Sequence, residues 1–260
     1  MLRVLRARLQ QKHRTMGFPS GPAPEMPDRF AGRPVIQEPC PGDCRVCRDT
    51  CPVQAIRRGE DGRVELDMGR CLFCGACSEA CPKGMIAFGP DYQLASARRG
   101  DMVVSPGPGT RAEAVSELAR KFFSRSLKLR QVSAGGCNAC EADVNVLGTP
   151  AWDMGRFGIQ FVASPRHADG LLVTGPVTGN MLLALEKTYA AVPEPRIVIA
   201  CGACAISGGP FADHPEAKNG VDSVLPVDLF IPGCPPHPLT ALDGLLRFLG
   251  RPVPDCKKVI

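Results

Sequence analysis

The sequence predicts two folded units in tandem: a small cysteine-rich α+β domain, and an α/β domain built on a mainly parallel sheet. Two observations predict this division. In the first half, a group of cysteines repeats after thirty residues, and each copy is followed by a short apolar run. In the second half, apolar runs typical of buried strands alternate with stretches of helical period. The 28 glycines, the 26 prolines and an aromatic content of 5% further indicate a loop-rich chain.

Four regions follow from this pattern. A basic amphipathic helix and a proline-rich strap (Phe18–Pro34) come first, because so many prolines favour neither a helix nor a central strand. A linker with a helix at Arg111–Phe123 joins the two domains. The expected boundaries are 1–34 for the helix and strap, 35–92 for the repeat domain, 93–130 for the linker and 131–260 for the α/β domain.

The α/β domain is predicted from its apolar runs. We expect strands at Leu171–Thr174, Ile197–Ala200 and Val227–Ile231, and helices at Asn180–Ala191 and Leu239–Leu249. In the first domain, the apolar runs Val53–Ile56 and Met85–Phe88 follow the two cysteine loops.

The repeated cysteines have the spacing of a two-cluster ferredoxin. Cys44, Cys47 and Cys51 recur as Cys74, Cys77 and Cys81, each copy closes with Cys-Pro, and Cys40 and Cys71 open the copies. The run C-x2-C-x2-C-x3-C-P holds two 4Fe-4S clusters in bacterial-type ferredoxins, where each motif gives its fourth cysteine to the other cluster. The predicted ligand sets are Cys40, Cys44, Cys47 with Cys81, and Cys71, Cys74, Cys77 with Cys51. Cys40 is the irregular ligand, because one extra residue separates it from Cys44.

A third set of four cysteines is predicted in the second domain. Cys137 and Cys140 lie in the loop GGCNAC, and Cys204 and Cys234 follow two predicted strands. The carboxyl ends of parallel strands meet at one edge of a sheet, where ligands collect. Spacing alone leaves Cys201 open as the fourth ligand or as a redox partner of Cys204. Zinc is the alternative metal. Zinc ribbons separate their cysteine pairs by roughly 15 to 20 residues, and many more residues separate Cys140 from Cys204 here. The glycines beside these cysteines also favour a large cofactor over a single ion.

Charge and composition exclude several classes of protein. The formal charge of +5 counts every thiol as neutral; twelve metal-bound thiolates and three oxidised clusters would bring it to about −1. Bulk basicity therefore gives no reason to expect nucleic-acid binding, and no nucleotide-binding motif occurs. No apolar run is long enough for a membrane span. The beginning of the sequence lacks a secretory pattern, so we expect a peripheral protein on the cytoplasmic side of the inner membrane.

The first helix is expected to be a docking element. Leu2, Leu5, Leu9 and Met16 fall on one face of a helical wheel, and cations occupy most of the other positions. Such a segment fits an anionic membrane surface or a partner subunit. The alternative is a solvated terminus.

Several other residues carry weaker expectations. Glu141 and Asp143 are expected to be solvated acids or helix-start charges, with proton transfer as the alternative. His167 is expected in a surface turn or at a subunit interface, His237 in a structural role and Cys256 as a free thiol.

Longer motifs resemble a known family. The stretch 136–177, with CGACAISGG and IPGCPP, resembles the small-subunit family shared by membrane-bound nickel-iron hydrogenases and the 20 kDa subunit of respiratory complex I. This resemblance implies that Cys204 and Cys234 bind the cluster nearest the active site and that Cys201 has no ligand role. Cys137 and Cys140 have the C-x2-C spacing of the hydrogenases, whereas complex I subunits carry an adjacent cysteine pair. The first third, with FAGRP and FGPDYQLA, resembles the two-cluster ferredoxin subunit of formate hydrogenlyase.

The resemblance implies a fold and a function. The first domain would be a 2x(4Fe-4S) ferredoxin-like domain, and the second a flavodoxin-like α/β domain with one 4Fe-4S cluster. The chain would pass electrons through three 4Fe-4S clusters between an external donor or acceptor protein and a hydrogenase-type large subunit, which carries the catalytic nickel-iron site, beside membrane-embedded complex I-like subunits. No substrate-converting site is expected within this chain. The alternatives are the same role in a complex I-like quinone or other oxidoreductase, and a scaffold protein with zinc-filled or empty cysteine sites.

Overall fold

The structure is a computed structural model that describes residues 2–12, 14–21, 24–37, 40, 44–107 and 117–254. Cys256, the extra residue after Cys40 and the first part of the predicted helix at Arg111–Phe123 lie outside the described residues.

The chain begins with helix α1 (Leu2–Gln11), and the proline-rich strap after it contains no helix or strand before β1 (Pro34–Ile36) within its described residues. The prediction that Met16 shares the apolar face of this helix is wrong, because α1 ends at Gln11. Met16 instead joins the second domain: its amide donates to the carbonyl of Ala151 at 3.0 Å, and its side chain packs on the core beneath.

The repeated sequence folds into repeated structure. The first copy gives α2 (Val46–Thr50) and β2 (Ile56–Arg58), and the second gives α3 (Ala76–Ala80) and β4 (Ile86–Phe88). Strand β3 (Val64–Asp67) lies between β2 and β5 (Val103–Val104) in a three-stranded antiparallel sheet, and β1 pairs antiparallel with β4. The three-stranded sheet therefore uses a strand that follows residue 92 in the chain.

The described part of the segment between the two domains contacts both of them. A 3₁₀ turn at Arg99–Met102 precedes β5, and α4 (Glu117–Phe123) precedes the second sheet. Ser96 and Phe230 form an antiparallel bridge, with backbone hydrogen bonds of 3.0 and 2.8 Å. The ferredoxin-like unit is thereby tied to the edge of the second sheet.

The second domain is a five-stranded parallel sheet, which confirms the α/β prediction. Its strands are β6 (Leu127–Ser133), β7 (Ile159–Phe161), β8 (Gly170–Thr174), β9 (Ile197–Cys201) and β10 (Leu229–Ile231). Its helices are α5 (Ala139–Val146), α6 (Gly179–Ala190), α7 (Ala203–Ser207) and α8 (Pro238–Phe248), with 3₁₀ turns at Met154–Phe157, Pro165–His167 and Gly209–Phe211. Numbered within this sheet, the strand order is 2-1-3-4-5, the flavodoxin-like order, in which ligands collect where the order reverses.

Alternate side chains of the central strands enter two apolar cores. Leu172 and Ile199 pack with helix α8 on one side of the sheet. Leu171 and Val198 face the other side, in a core that continues without a break into the ferredoxin-like unit through Leu66. A shared core makes the relative position of the two units part of the folded structure.

Candidate iron-sulfur sites

The two halves of the ferredoxin-like unit hold their cysteines in the same way. Helices α2 and α3 bury Cys47 and Cys77, respectively, and Cys51 and Cys81 follow at the helix ends. The amide of Ala55 donates to Cys51 Sγ at 3.2 Å, and that of Met85 donates to Cys81 Sγ at 3.3 Å. Hydrogen bonds of this kind stabilise a thiolate and tune the potential of a cluster that it ligates.

Cysteines from opposite motifs face one another. Burial raises the pKa of the Cys47 thiol, and charge on Cys40, Cys44 and Cys81 raises it further. Burial also raises the pKa of Cys71 to about 12, with Cys77, Cys51 and Cys74 adding to the effect. Cys51 lines one cavity with Cys71, Cys74 and Cys77, and Cys81 lies near enough to Cys47 to affect its pKa. Thiols with such raised pKa values are protonated at neutral pH unless a metal displaces the proton.

The four cysteines predicted to hold the second cluster line one cavity. These cysteines are Cys51, Cys71, Cys74 and Cys77. Apolar side chains, including Leu66, Leu72 and Phe88, form the rest of its wall. A wall of this kind excludes water from a bound cluster, and burial is one of the factors that set cluster potential.

The third set of cysteines converges at the carboxyl edge of the parallel sheet. Cys137 follows β6, Cys140 lies in α5, Cys204 lies in α7 and Cys234 follows β10. All four line one cavity. Burial raises the pKa of Cys140 to about 12, with further increases from Cys204, Glu141, Cys234 and Cys137.

Two glycines make room for this third set. Gly202 has φ +95°, and a Cβ there would lie 2.5 Å from Cys140 Sγ. A Cβ on Gly209, at φ +54°, would lie 2.9 Å from Cys204 Sγ. Both positions need glycine for backbone conformation and for space, which supports a site built around a bulky group held by sulfur.

Cys201 lies apart from this cavity. Its side chain is fully buried in the core beneath the sheet, whereas Cys204, Cys234 and the C-x2-C pair line the cavity. Burial raises the pKa of the Cys201 thiol well above its ordinary value. A neutral thiol in an apolar core has the environment of a packing residue.

Glu141 lies in the first turn of α5, as expected for a helix-start charge, but the alternative of a solvated acid is wrong. Its side chain is buried, lines the third cavity and accepts a hydrogen bond from Thr174 Oγ1 at 2.6 Å. Thr174 was not predicted as part of the site, although its place at the end of a buried strand puts it at the same edge as the cysteines. Asp143 is half-buried, and burial raises the pKa of its carboxyl against the opposing effect of His237.

His237 and His167, the two histidines singled out in the sequence, occupy different positions. His237 caps helix α8, with Nδ1 accepting from the Leu239 amide at 3.1 Å, and its ring packs edge-on against Phe30. His167 is exposed in the 3₁₀ turn before β8.

Four cysteines line each of the second and third cavities, a set of thiol donors of the kind that holds 4Fe-4S clusters. Within the described part of the chain, no group of three or more His, Cys, Asp or Glu is arranged to hold one metal ion. One zinc ion holds its thiolates at about 2.3 Å, whereas a four-iron cube binds one thiolate at each iron corner and so needs wider spacing. The described cysteines form no disulfide.

Comparisons with known proteins agree with this arrangement. Residues 137–248 match the family described as NADH ubiquinone oxidoreductase, 20 Kd subunit, and residues 40–85 match a 4Fe-4S dicluster domain. A probable membrane-bound hydrogenase subunit, mbhJ of Pyrococcus furiosus, is 45% identical over 50% of this chain and 78% of its own length. The chain belongs to the NADH ubiquinone oxidoreductase 20 kDa subunit family. The resemblance noted in the sequence is thus confirmed.

Other similar proteins place this 20 kDa family member among subunits of oxidoreductases. Formate hydrogenlyase subunit 7 of Escherichia coli is 42% identical over 56% of this chain and 58% of its own length. An NADH-quinone oxidoreductase subunit of Heliobacterium modesticaldum is 44% identical over 45% of this chain and 68% of its own length. A solved chain of the archaeal membrane-bound sulfane sulfur reductase is 34% identical, with a TM-score of 0.45, over 51% of this chain and 73% of that one.

Proposed function

We propose that this chain is the electron-transfer subunit of a membrane-bound nickel-iron hydrogenase complex of the formate hydrogenlyase type. Twelve cysteines would hold three 4Fe-4S clusters that connect an external electron carrier to a catalytic large subunit. One observation carries the proposal: Leu72 and Phe73, which lie within the second cysteine set, line one cleft with Cys234 of the third set. Burial raises the pKa of Cys234, and charge on Cys137 and on Cys74 raises it further.

This shared cleft supports an order for the three sites. Leu72 and Phe73 come from the second ferredoxin set, and Pro232 and Cys234 come from the third site. The first set would then be the entry from the external carrier, and the third set the exit. Bound clusters supply one-electron chemistry without proton transfer or bond formation.

The chain's own residues exclude water from the proposed electron path and hold its sites at fixed positions. Apolar side chains surround the second cavity, and one continuous core holds the two domains together. The hydroxyl of Ser207 adds a contact, because it donates to the carbonyl of Gly69 at 3.1 Å. Fixed separation between carriers is what an electron path needs from the protein around it.

The proposed partners follow from the exposed end of the path. Cys137 and Cys234 are exposed at the third site, so a catalytic large subunit would cover them and carry the nickel-iron centre. Membrane-embedded complex I-like subunits and an external donor or acceptor protein would complete the complex, on the cytoplasmic side of the inner membrane. The relatives named as a membrane-bound hydrogenase subunit and a formate hydrogenlyase subunit support this assignment.

A second candidate is the same electron path in a complex I-like enzyme that serves quinone or another acceptor. The similarity to the NADH-quinone oxidoreductase subunit of Heliobacterium modesticaldum favours it, whereas the C-x2-C spacing of Cys137 and Cys140 favours the hydrogenase. The sequence of the partner large subunit separates the two candidates. Two C-x2-C pairs there support the nickel-iron assignment, and their absence excludes it.

Iron and acid-labile sulfide analysis of the anaerobically purified chain tests the three clusters. We expect about twelve irons and twelve sulfides per chain. The variant Cys234→Ala should retain about eight irons, because only the third site loses a ligand. Zinc in place of iron, or clearly fewer irons in the unaltered chain, would overturn the proposal.

A further inference from the structure

Helix α1 carries a large unpartnered apolar face. Leu2, Leu5 and Leu9 are 85%, 60% and 78% exposed, and no residue of the helix is buried. Packing against the rest of the chain therefore does not explain its leucines. An apolar surface of this kind on a helix marks a contact with something outside the chain.

The leucines form one stripe with a cation on each side. At about 100° per residue, Leu2, Leu5 and Leu9 fall within about 60° of one another. Arg6 and Arg8 flank the stripe on opposite sides. Val4, which is 71% exposed, falls on the far side of the helix. Arginines at the edges of an apolar stripe reach outward to headgroups while their stems follow the apolar surface.

The charge around the helix selects the partner. Residues 1–24 contain no Asp or Glu, and they carry five cations: Arg3, Arg6, Arg8, Lys12 and Arg14. A surface of uniform negative charge complements this segment, and anionic lipid provides one together with an apolar layer beneath it. A helix of ten residues is about 15 Å long, half the thickness of a bilayer core. Among the described residues, none forms a helix long and apolar enough to cross a membrane.

The helix is closely attached to the second domain. Thr15 Oγ1 donates to the carbonyl of Pro150 at 2.9 Å, and Arg156 donates to the carbonyl of Met16 at 2.9 Å. Only residues 12–14 separate this anchored point from α1, a reach of about 10 Å at most. A surface that holds α1 therefore also holds the domain with the third cysteine set close to it.

We propose that α1 is an interfacial anchor that lies in the plane of an anionic lipid surface, with Leu2, Leu5 and Leu9 inserted and Arg6 and Arg8 at the headgroups. This anchoring goes beyond electron transfer and does not depend on which acceptor the complex serves. Binding should combine apolar insertion with charge attraction.

Vesicle flotation of the purified, cluster-loaded chain tests the anchor. We expect binding to vesicles of phosphatidylcholine with phosphatidylglycerol, weaker binding to phosphatidylcholine alone, and weakening by added salt. Leu5→Gln and Leu9→Gln should each reduce partitioning about tenfold, because each removes one inserted side chain. Glutamine has nearly the helix propensity of leucine, so the helix itself should persist.

Val4→Gln is the matched control, since it makes a similar change on the opposite face and should alter partitioning by less than about twofold. The anchor is excluded if Val4→Gln weakens binding as much as Leu5→Gln, or if neutral and anionic vesicles bind equally. It is also excluded if the chain does not bind vesicles while Leu5→Gln prevents co-purification with membrane subunits. That result would assign α1 to a protein partner. Iron content measured on the same samples keeps this outcome separate from the three-cluster proposal.

Discussion

Glu141 keeps its charge in a place almost closed to solvent. Burial raises the pKa of its carboxyl, but hydrogen bonds from Ser133, Thr174 and its own backbone amide together lower that pKa below the ordinary value of 4.5. The stabilisation from this ionised group is therefore fully present above about pH 4.5 and disappears only as pH falls through the lower native value. The ionised state of this carboxylate, which lies beside Cys140, depends on the groups that donate hydrogen bonds to it.

Thr174→Val should reveal this dependence. The substitution keeps the shape of the side chain but removes the 2.6 Å hydrogen bond to Glu141, and we expect a loss of about 2 kcal/mol in the free energy of unfolding. Because Ser133 and the backbone amide still lower the pKa of Glu141 in this variant, the loss should persist at both pH 7 and pH 5.5 in urea titrations. Thr188→Val, which removes an exposed hydroxyl, should change stability by less than about 0.5 kcal/mol. A loss that vanishes at pH 5.5 would show that Glu141 is not held ionised.

Two neighbouring cysteines should respond differently to the same change. Cys204 lines the third cavity and Cys201 lies in the core. Cys204→Ala should remove the electron paramagnetic resonance signal of the third cluster and about four irons. Cys201→Ala should keep all iron and lower stability by about 1 kcal/mol, because it removes one buried sulfur. Loss of iron from the Cys201 variant would reverse the assignment.

At the scale of residues, the sequence indicated which cysteines form a group better than it indicated which side chains surround them. The fixed spacing within each motif identifies the ferredoxin cysteines, because one short loop must wrap one cluster. Spacing leaves Cys201 and Cys204 equivalent, and only the position of each side chain relative to the sheet separates them. The burial of Glu141 was not expected for the same reason, since its hydrogen-bond partner Thr174 is distant in sequence.

At the scale of elements, the turn between β9 and α7 is the most constrained part of the third site. Gly202 combines a positive φ with a 2.5 Å approach of any added Cβ to Cys140 Sγ. Gly202→Ala should therefore displace a ligand as well as strain the backbone, and the third cluster should be lost or altered in its spectrum. Gly62→Ala is a control for strain alone, because Gly62 has φ +76° with open space around its Cα. We expect the control to cost about 1 kcal/mol with full iron content.

An intact third-cluster spectrum in Gly202→Ala would show that the turn tolerates a side chain and that the glycine is not needed for the site.

Elements with strong local signals agreed with their predictions, whereas elements defined by distant contacts did not. Strands β8 and β9 are wholly buried, so their apolar runs stand out in the sequence. Strand β5 has only two residues, and pairing with β3 rather than its own sequence makes it a strand. Met16 was placed on the helix because its spacing fits, but its contact with Ala151 decides its position. A periodic pattern does not reveal where a helix ends.

At the scale of the whole molecule, the linker binds the two domains through a buried polar network. Gln93 Nε2 donates to Asp243 at 3.0 Å, and Arg247 both pairs with Asp243 at 2.8 Å and donates to the carbonyl of Ala95 at 3.2 Å. Asp243 is fully buried, and burial raises the pKa of its carboxyl against the effect of Arg247. Buried charge is costly without partners, so the network fixes the linker on α8 in one arrangement.

This fixed arrangement leads to a prediction about the electron path. If the three sites work in series, removing the middle one should isolate the third from the first. Cys77→Ala should lose the second cluster, because Cys77 is a buried predicted ligand of that site. A large redox protein that reduces the first cluster should then reduce the third far more slowly, whereas a small reductant such as dithionite should still reach it. Freeze-quench electron paramagnetic resonance would follow each cluster separately.

Cys204→Ala is the complementary control, because the first two clusters should still be reduced at the original rate. Unchanged reduction of the third cluster in the Cys77 variant would mean that electrons enter the second domain directly and that the second site is not on the route.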